Sequence, residues 1–226
     1  MKSSERVTVS VAKNDDPSKA TDEAIDLLGG MSRFVKRGDR VVIKPNLTFD
    51  RPADTGATTD PRVVKRIAEL CQEEGAGEII VAESSAVGVD TERAFEVNGI
   101  RKTVSGLGVK ILDIKRNPFV KVRVPDGHAI GTVEISSIVL SCDVLINVPK
   151  LKTHDQLPVT LGLKNMKGVI PDEEKKRFHS QGLSWAIVDL NRLVKPDLTV
   201  IDGSIAMEGL GPIFGDRIKM GIVVAS

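Results

Sequence analysis

Arg40-Val41-Val42-Ile43-Lys44-Pro45-Asn46 reads as an apolar strand that ends in charge, entered through the turn Gly38-Asp39. The rest of the chain repeats this unit. Asp60-Pro61 places an N-cap and a proline at the first helical position, and Val63, Val64, Ile67 and Leu70 then give one apolar face. Gly75 and Gly77 punctuate that helix, and Glu78-Ile79-Ile80-Val81-Ala82 is the next strand. Toward the N-terminus, residues 6–11 alternate as a half-buried strand, and Asp16-Pro17 opens a helix running to Gly29-Gly30. Downstream come a helix from Thr91, a short strand over 109–112, and a strand at Val144–Val148. Helices follow over 157–167 and Leu183–Leu193, then strands over 198–201 and 218–225. Residues 119–124 and 130–135 alternate around Pro125-Asp126-Gly127, which predicts a partly exposed antiparallel hairpin inserted at about 117–136. The tract 171–177, rich in Glu and Lys, reads as a solvated loop or lid. Strands alternating with helices predict an α/β fold, residues 1–226 forming one domain: a mostly parallel sheet, helices on both faces and an appended β-hairpin.

Composition narrows the function classes. The 226 residues are 41% hydrophobic and 28% charged, ordinary for a globular chain, and long enough for a large core. A net charge of +1 supplies no global field toward nucleic acid or membrane, and 3% aromatics with no Tyr argues against base-stacking platforms. The first eleven residues lack the apolar core of a signal peptide, and no apolar run approaches membrane-spanning length, so a cytoplasmic location is expected. Cys71 and Cys142 are far apart and form no CxxC pair. Two such thiols do not supply the four ligands of an iron–sulfur cluster, so none is expected in this chain.

In parallel sheets ligands bind beyond the carboxyl ends of the strands. Here those ends carry Lys44-Pro45-Asn46, Glu83-Ser84-Ser85, Pro149-Lys150-Leu151-Lys152-Thr153-His154 and Asp202-Gly203. The predicted helix after His154 adds Lys164, Asn165 and Lys167, with its positive N-terminal end nearby. Lysines gathered in one cleft need an anion or carboxylates such as Glu83 and Asp202 to compensate them, or one of them must lose its proton. The deprotonated one is then a base or a Schiff-base nucleophile. Each lysine by itself is equally a solvated surface charge; it is the set that points to an anion site. Lys150 and His154 are the catalytic candidates, and Lys44, Asn46, Lys152, Lys164, Asn165 and Asp202 the ligand-binding ones. On this reading Lys150→Ala weakens ligand binding far more than folding, and Lys175 serves as a neutral control. His154 and His179 could be acid–base groups, metal ligands or caps; without HxH or HExxH spacing no metal site is assigned. Asp202 could hold a metal or a lysine. Gly209-Leu210-Gly211-Pro212-Ile213-Phe214-Gly215 leads into a strand rather than a helix, so it is read as a loop near the site and not as a phosphate loop.

The same stretches carry a resemblance. Val42-Ile43-Lys44-Pro45-Asn46-Leu47, Thr58-Thr59-Asp60-Pro61, Pro149-Lys150-Leu151-Lys152-Thr153-His154, Leu163-Lys164-Asn165-Met166-Lys167-Gly168, Val188-Asp189-Leu190 and Gly211-Pro212 follow one another as in the DUF362 family of uncharacterised proteins. Many members carry a ferredoxin-like cysteine segment, which implies a redox link and a redox partner for them; this chain lacks that segment. Members usually continue beyond the 223–226 strand, so the resemblance implies a fragment or a short member. A more distant similarity to the lactate racemase group rests only on Lys and His at strand ends. Two functions are open: an enzyme on a small phosphate- or carboxylate-bearing ligand, redox or isomerising, or a non-catalytic protein that binds such an anion.

Overall fold

The computed structural model describes residues 7–226. In chain order the main elements are β1 (Ser10–Lys13), α1 (Pro17–Asp26), β2 (Arg40–Pro45), α2 (Pro61–Glu73), β3 (Glu78–Glu83), α3 (Thr91–Asn98), α4 (Ile100–Thr103) and β4 (Lys110–Asp113). After them come β5 (Phe119–Arg123), β6 (Thr132–Ser136), α5 (Ser137–Leu140), β7 (Val144–Val148), β8 (Lys150–Thr153), β9 (Val159–Thr160) and α6 (Gly162–Asn165). α7 (Asp172–Ser180), α8 (Leu183–Leu193), β10 (Leu198–Glu208) and β11 (Asp216–Ala225) complete the series. Arg6, the first residue of the predicted N-terminal strand, lies outside the described residues.

The large sheet runs β1-β11-β10-β7-β2-β3-β4. β10, β7, β2, β3 and β4 are parallel neighbours, while β1 and β11 add an antiparallel edge. Period-two alternation sorts the strand side chains into two cores. Val41, Ile43, Val81, Val144 and Ile146 join α1 to α4 on one face. Val42, Ile80, Ala82 and Leu145 join α7, α8 and the β5–β6 hairpin on the other. Each fully buried aliphatic side chain contributes about 1.5–3 kcal/mol, so strand interiors with an apolar residue on each face are what hold the sheet together. Asp16 and Asp60 cap α1 and α2 as read, accepting from the amides of Ser18 and Arg62 with Pro17 and Pro61 opening the helices.

The hairpin forms its own antiparallel sheet as read, with Val133 and Ile135 buried in the second core. Asp189 of α8 fastens it, accepting the amides of His128, Ala129 and Ile130. Burial opposes its charge, and the three donors nonetheless hold its carboxyl below the usual range. The predicted 157–167 helix is instead a strand–turn–helix path, β9 then the four-residue α6 and a 3-10 turn at Met166–Val169. Pro158 and the β-branched pair Val159-Thr160 favour extension, and Thr153–Lys152 of β8 offer the partner edge. The 171–177 tract is not a solvated loop, because Lys175 and Phe178, three apart, are buried on one face of α7. His179 accordingly lies in the last turn of α7.

Candidate functional site

At the carboxyl ends of β2 and β3 a cavity of about 560 Å³ is lined by Lys44, Asn46, His154, Lys164 and Asn165, together with Lys167, Lys175, Lys176 and His179. Phe49, Val87, Pro212 and Ile213 form apolar wall, and Glu83 and Asp155 are its carboxylates. Five of the side chains read from the sequence thus converge. Lys150, Lys152 and Asp202 do not line the cavity.

Its floor is a polar network with nearly every group satisfied. Lys44 continues β2 and is 1% exposed; its Nζ donates to Glu83 Oε2 at 2.9 Å, to Pro45 O at 2.8 Å and to Asn165 Oδ1 at 3.3 Å. Glu83 also accepts the amides of Leu47 and Ser84. Burial pushes the Lys44 ammonium below its ordinary pKa, and Glu83 offsets part of that. Asn165 is the hub. Its Oδ1 accepts from Asn46 Nδ2 at 2.9 Å, and its Nδ2 donates to Asn147 Oδ1 at 2.8 Å. Gly168 is required here by close approach: a Cβ on it would stand 2.6 Å from Lys44 Nζ and collide with Glu83 Oε1.

Lys150 and Lys152 point the same way from β8, as their spacing predicts, but into the protein. Lys150 Nζ reaches Asp202 Oδ2 at 2.7 Å with both side chains fully buried, so neither of these two candidates faces the cavity. The reason is topological: past Pro149 the chain continues beside β10, where Lys150 is in register with Asp202. Burial raises the pKa of Asp202 and Lys150 overcomes that, leaving its carboxyl below the usual range. Lys152 lies beneath the cavity, donating to Asn46 Oδ1 and to Ala57 O. Burial, then repulsion from Lys164 and Lys150, lowers it to about 7.

The outer wall carries two imidazoles and two further lysines. His154 Nδ1 accepts the amide of Gln156 at 3.0 Å and lies equally close to Asp155 Oδ1. Burial first, then the charge of Lys164, lowers its pKa to about 4. His179 Nδ1 donates to Gln156 Oε1 at 2.9 Å while its Nε2 accepts from Lys167 Nζ at 2.8 Å. Burial and Lys164 and Lys175 together lower Lys167 to about 7. Lys164 reaches the cavity from α6, not from the long helix expected, so no helix N-terminus assists it. Its Nζ has no hydrogen bond or ion pair among the described residues. Burial, eased by Asp155 and worsened by Lys44, lowers it to about 8.

Lys175 is the residue the sequence misplaced. It is 5% exposed, and its Nζ donates to the carbonyls of Ser84 and Ser85, to Ser84 Oγ and to Asp172 Oδ1. Burial, opposed by Asp172, lowers it to about 8. Its signal was the i,i+3 spacing with Phe178. Asn147 was also missed, though a lone polar residue inside Val-Leu-Ile-Asn-Val is a visible irregularity. Among the described residues no three of His, Cys, Asp and Glu cluster as a metal centre would need. Cys71 belongs to the first core and Cys142 packs against the second, on opposite faces of the sheet. No helix among the described residues is long and apolar enough to cross a membrane.

Comparison with known proteins supports the fold and assigns the family. A thylakoid-associated protein of Synechocystis sp. is 34% identical over 208 residues, covering 89% of this chain and 63% of that protein. A crystal structure of a Thermotoga maritima protein superposes with a TM-score of 0.55 at 14% identity, over 91% of this chain and 55% of that one. The lactate racemase apoprotein from Thermoanaerobacterium thermosaccharolyticum gives 0.52 at 11% identity, over 96% and 54%. At such identities these two likenesses concern the fold alone, and the chain spans little more than half of each. A family model described as a domain of unknown function, DUF362, matches residues 41–226, taking in every motif quoted above, and the chain belongs to that family.

Proposed function

We propose that this chain is an enzyme acting on a small ligand with a phosphate or carboxylate head and an apolar body. The observation that carries the reading is Lys164: a half-buried ammonium without a protein partner among the described residues, in a cavity whose other lysines, save the exposed Lys176, are held by acceptors. The fixed lysines give a preorganised positive field, and Lys164 is the cation left to meet an anion. The walls divide to match, cationic along Lys44, Lys164 and Lys167, apolar along Phe49, Val87 and Ile213. The volume suits a metabolite-sized molecule. His154, kept neutral chiefly by burial and with its Nε2 not engaged by the protein among the described residues, supports acid–base chemistry on the bound ligand.

A non-catalytic binding role is supported by the floor: Lys44, Asn46, Asn165 and Glu83 are locked together as a rigid cradle would be. Cytoplasmic residence belongs to the same proposal, thylakoid association being a property of the relative. A redox step would need a partner to carry electrons, and an isomerising one would not. The test is isothermal titration of the protein with inorganic phosphate, beside native mass spectrometry of what it retains on purification. Lys164→Gln should weaken phosphate by the loss of a charge-assisted hydrogen bond, about 1.5–3 kcal/mol. Unchanged binding in that variant, or none in the wild type, defeats the reading. Turnover of the retained ligand that is lost in His154→Gln with binding intact selects the enzyme over the binder.

A further inference from the structure

We propose that Lys164 is a Schiff-base-forming amine for a small oxo acid whose carboxylate the neighbouring lysines hold. This rests on reading the cavity as an anion site. The geometry singles out one lysine. Lys44 is tied to Glu83, Lys175 to the Ser84 and Ser85 carbonyls, and Lys167 to His179, so each is a fixed donor. Lys176, the cavity's exposed lysine, is likewise without an acceptor, but of the lysines set into the cavity wall Lys164 alone has a nitrogen with none among the described residues. It also stands in the wall between the basic cavity and a second, apolar one lined by Leu157, Leu163, Ile187 and Val188. Burial against those apolar surroundings, with the Lys44 charge added, disfavours the ammonium more than Asp155 favours it, and so raises the share of free amine.

The preference for a carbonyl acid over a plain phosphate follows from that. The ammonium form of Lys164 serves either anion, but its free-amine fraction is something an oxo acid can use and a plain phosphate cannot. A carbonyl carbon is the electrophile that a free lone pair attacks. With its pKa lowered to about 8, Lys164 at neutral pH carries a free-amine fraction on the order of a hundred-fold above that of an ordinary lysine. The Lys164 nitrogen adds to the carbonyl carbon, and the C=O electron pair goes to oxygen. That oxygen takes a proton and the nitrogen loses one, giving a carbinolamine. The hydroxyl then takes a second proton and leaves as water while the nitrogen lone pair closes the C=N bond. Overall, amine, carbonyl compound and one proton give a protonated imine and one water. His154 is placed on the same wall to pass protons to and from that oxygen.

The experiment is reductive trapping. The full chain is incubated with pyruvate, sodium cyanoborohydride is added as external hydride donor, and peptides are mapped by mass spectrometry. A carboxyethyl group should appear on Lys164 at least about tenfold above any other lysine, and methyl pyruvate, without the negative charge, should label it far less. Lys164→Arg keeps the charge and should lose the label; the wild-type map stands by itself if that variant fails to fold. Label spread equally over exposed lysines such as Lys195, or no label, overturns the proposal. Titration with pyruvate runs in parallel. Binding without label at Lys164 ends the Schiff-base inference and leaves the anion site standing, whereas neither binding nor label ends both.

Discussion

Lys150 Nζ lies 2.7 Å from Asp202 Oδ2, and neither side chain reaches solvent. Asp202 also accepts the Asp60 amide and the Ser204 amide and hydroxyl, so the pair ties β8, β10 and the start of α2 together. Removing one partner of a buried pair strands the other charge. Lys150→Ala should therefore cost about 3–5 kcal/mol in urea unfolding, with phosphate affinity of the folded fraction within about twofold of wild type. The sequence alone predicts the reverse, and a large affinity loss at unchanged stability would return Lys150 to the site.

Gly168→Ala tests the Lys44–Glu83 pair without touching either charge. The new methyl must displace Glu83 Oε1 and the end of Lys44, both buried. Overpacking of this kind costs about 1–3 kcal/mol, and parting the ions adds to it. Thermal unfolding should register the loss, and phosphate binding should weaken because the cavity floor shifts. A wild-type melting curve would mean that the 3-10 turn Met166–Val169 yields easily.

Lys175→Met keeps the stem and removes the ammonium from the Ser84 and Ser85 carbonyls. The expected cost is about 2–4 kcal/mol for buried acceptors left unsatisfied, read as a lower urea midpoint. Lys195→Met, at an exposed position, should change stability by no more than about 0.5 kcal/mol. Equal effects at the two positions would mean that α7 is held by Phe178 alone.

These three sites mark how far the sequence could be read. Val41, Val42 and Ile43 announce a strand with an apolar residue on each face, and Asp60-Pro61 announces a helix start, because both signals are local. The demand that clustered lysines find carboxylates was legible too, and Glu83 and Asp202 answer it. Which lysine meets which acid was not, since that depends on Pro149 redirecting the chain along β10. The 157–167 stretch misled because Lys164 and Lys167 have helical spacing while the backbone between β9 and the 3-10 turn is set by tertiary partners. Lys175 was lost inside a run of charges, where its i,i+3 spacing with Phe178 is the one local mark that sets it apart from its exposed neighbour Lys176.

The lysines predict an unusual response to pH. Lys152 and Lys167 are lowered to about 7, and Lys164 and Lys175 to about 8, against an ordinary value near 10.5 in the unfolded chain. Between those values the unfolded chain binds more protons than the folded one, so unfolding free energy rises with pH across the window from about 7 to 10. His154 and His179 are lowered below 6.5 and add nothing above neutrality. Cys142 and Cys71, raised to about 11 and 12 from 9.0, work in the opposite sense only above about pH 9. The melting temperature in dilute amine buffer should therefore be higher at pH 9 than at pH 7, by at least the ~2–4 °C that one kcal/mol produces in a chain of this size. Phosphate should narrow the gap from below: it binds the charged lysines, so it stabilises at pH 7 and loses its effect as Lys164 and Lys167 deprotonate. A melting temperature that falls steadily from pH 7 to 9, with phosphate equally effective throughout, would mean that these ammonium groups keep ordinary pKa values and that the cavity is not the crowded cationic site its geometry describes.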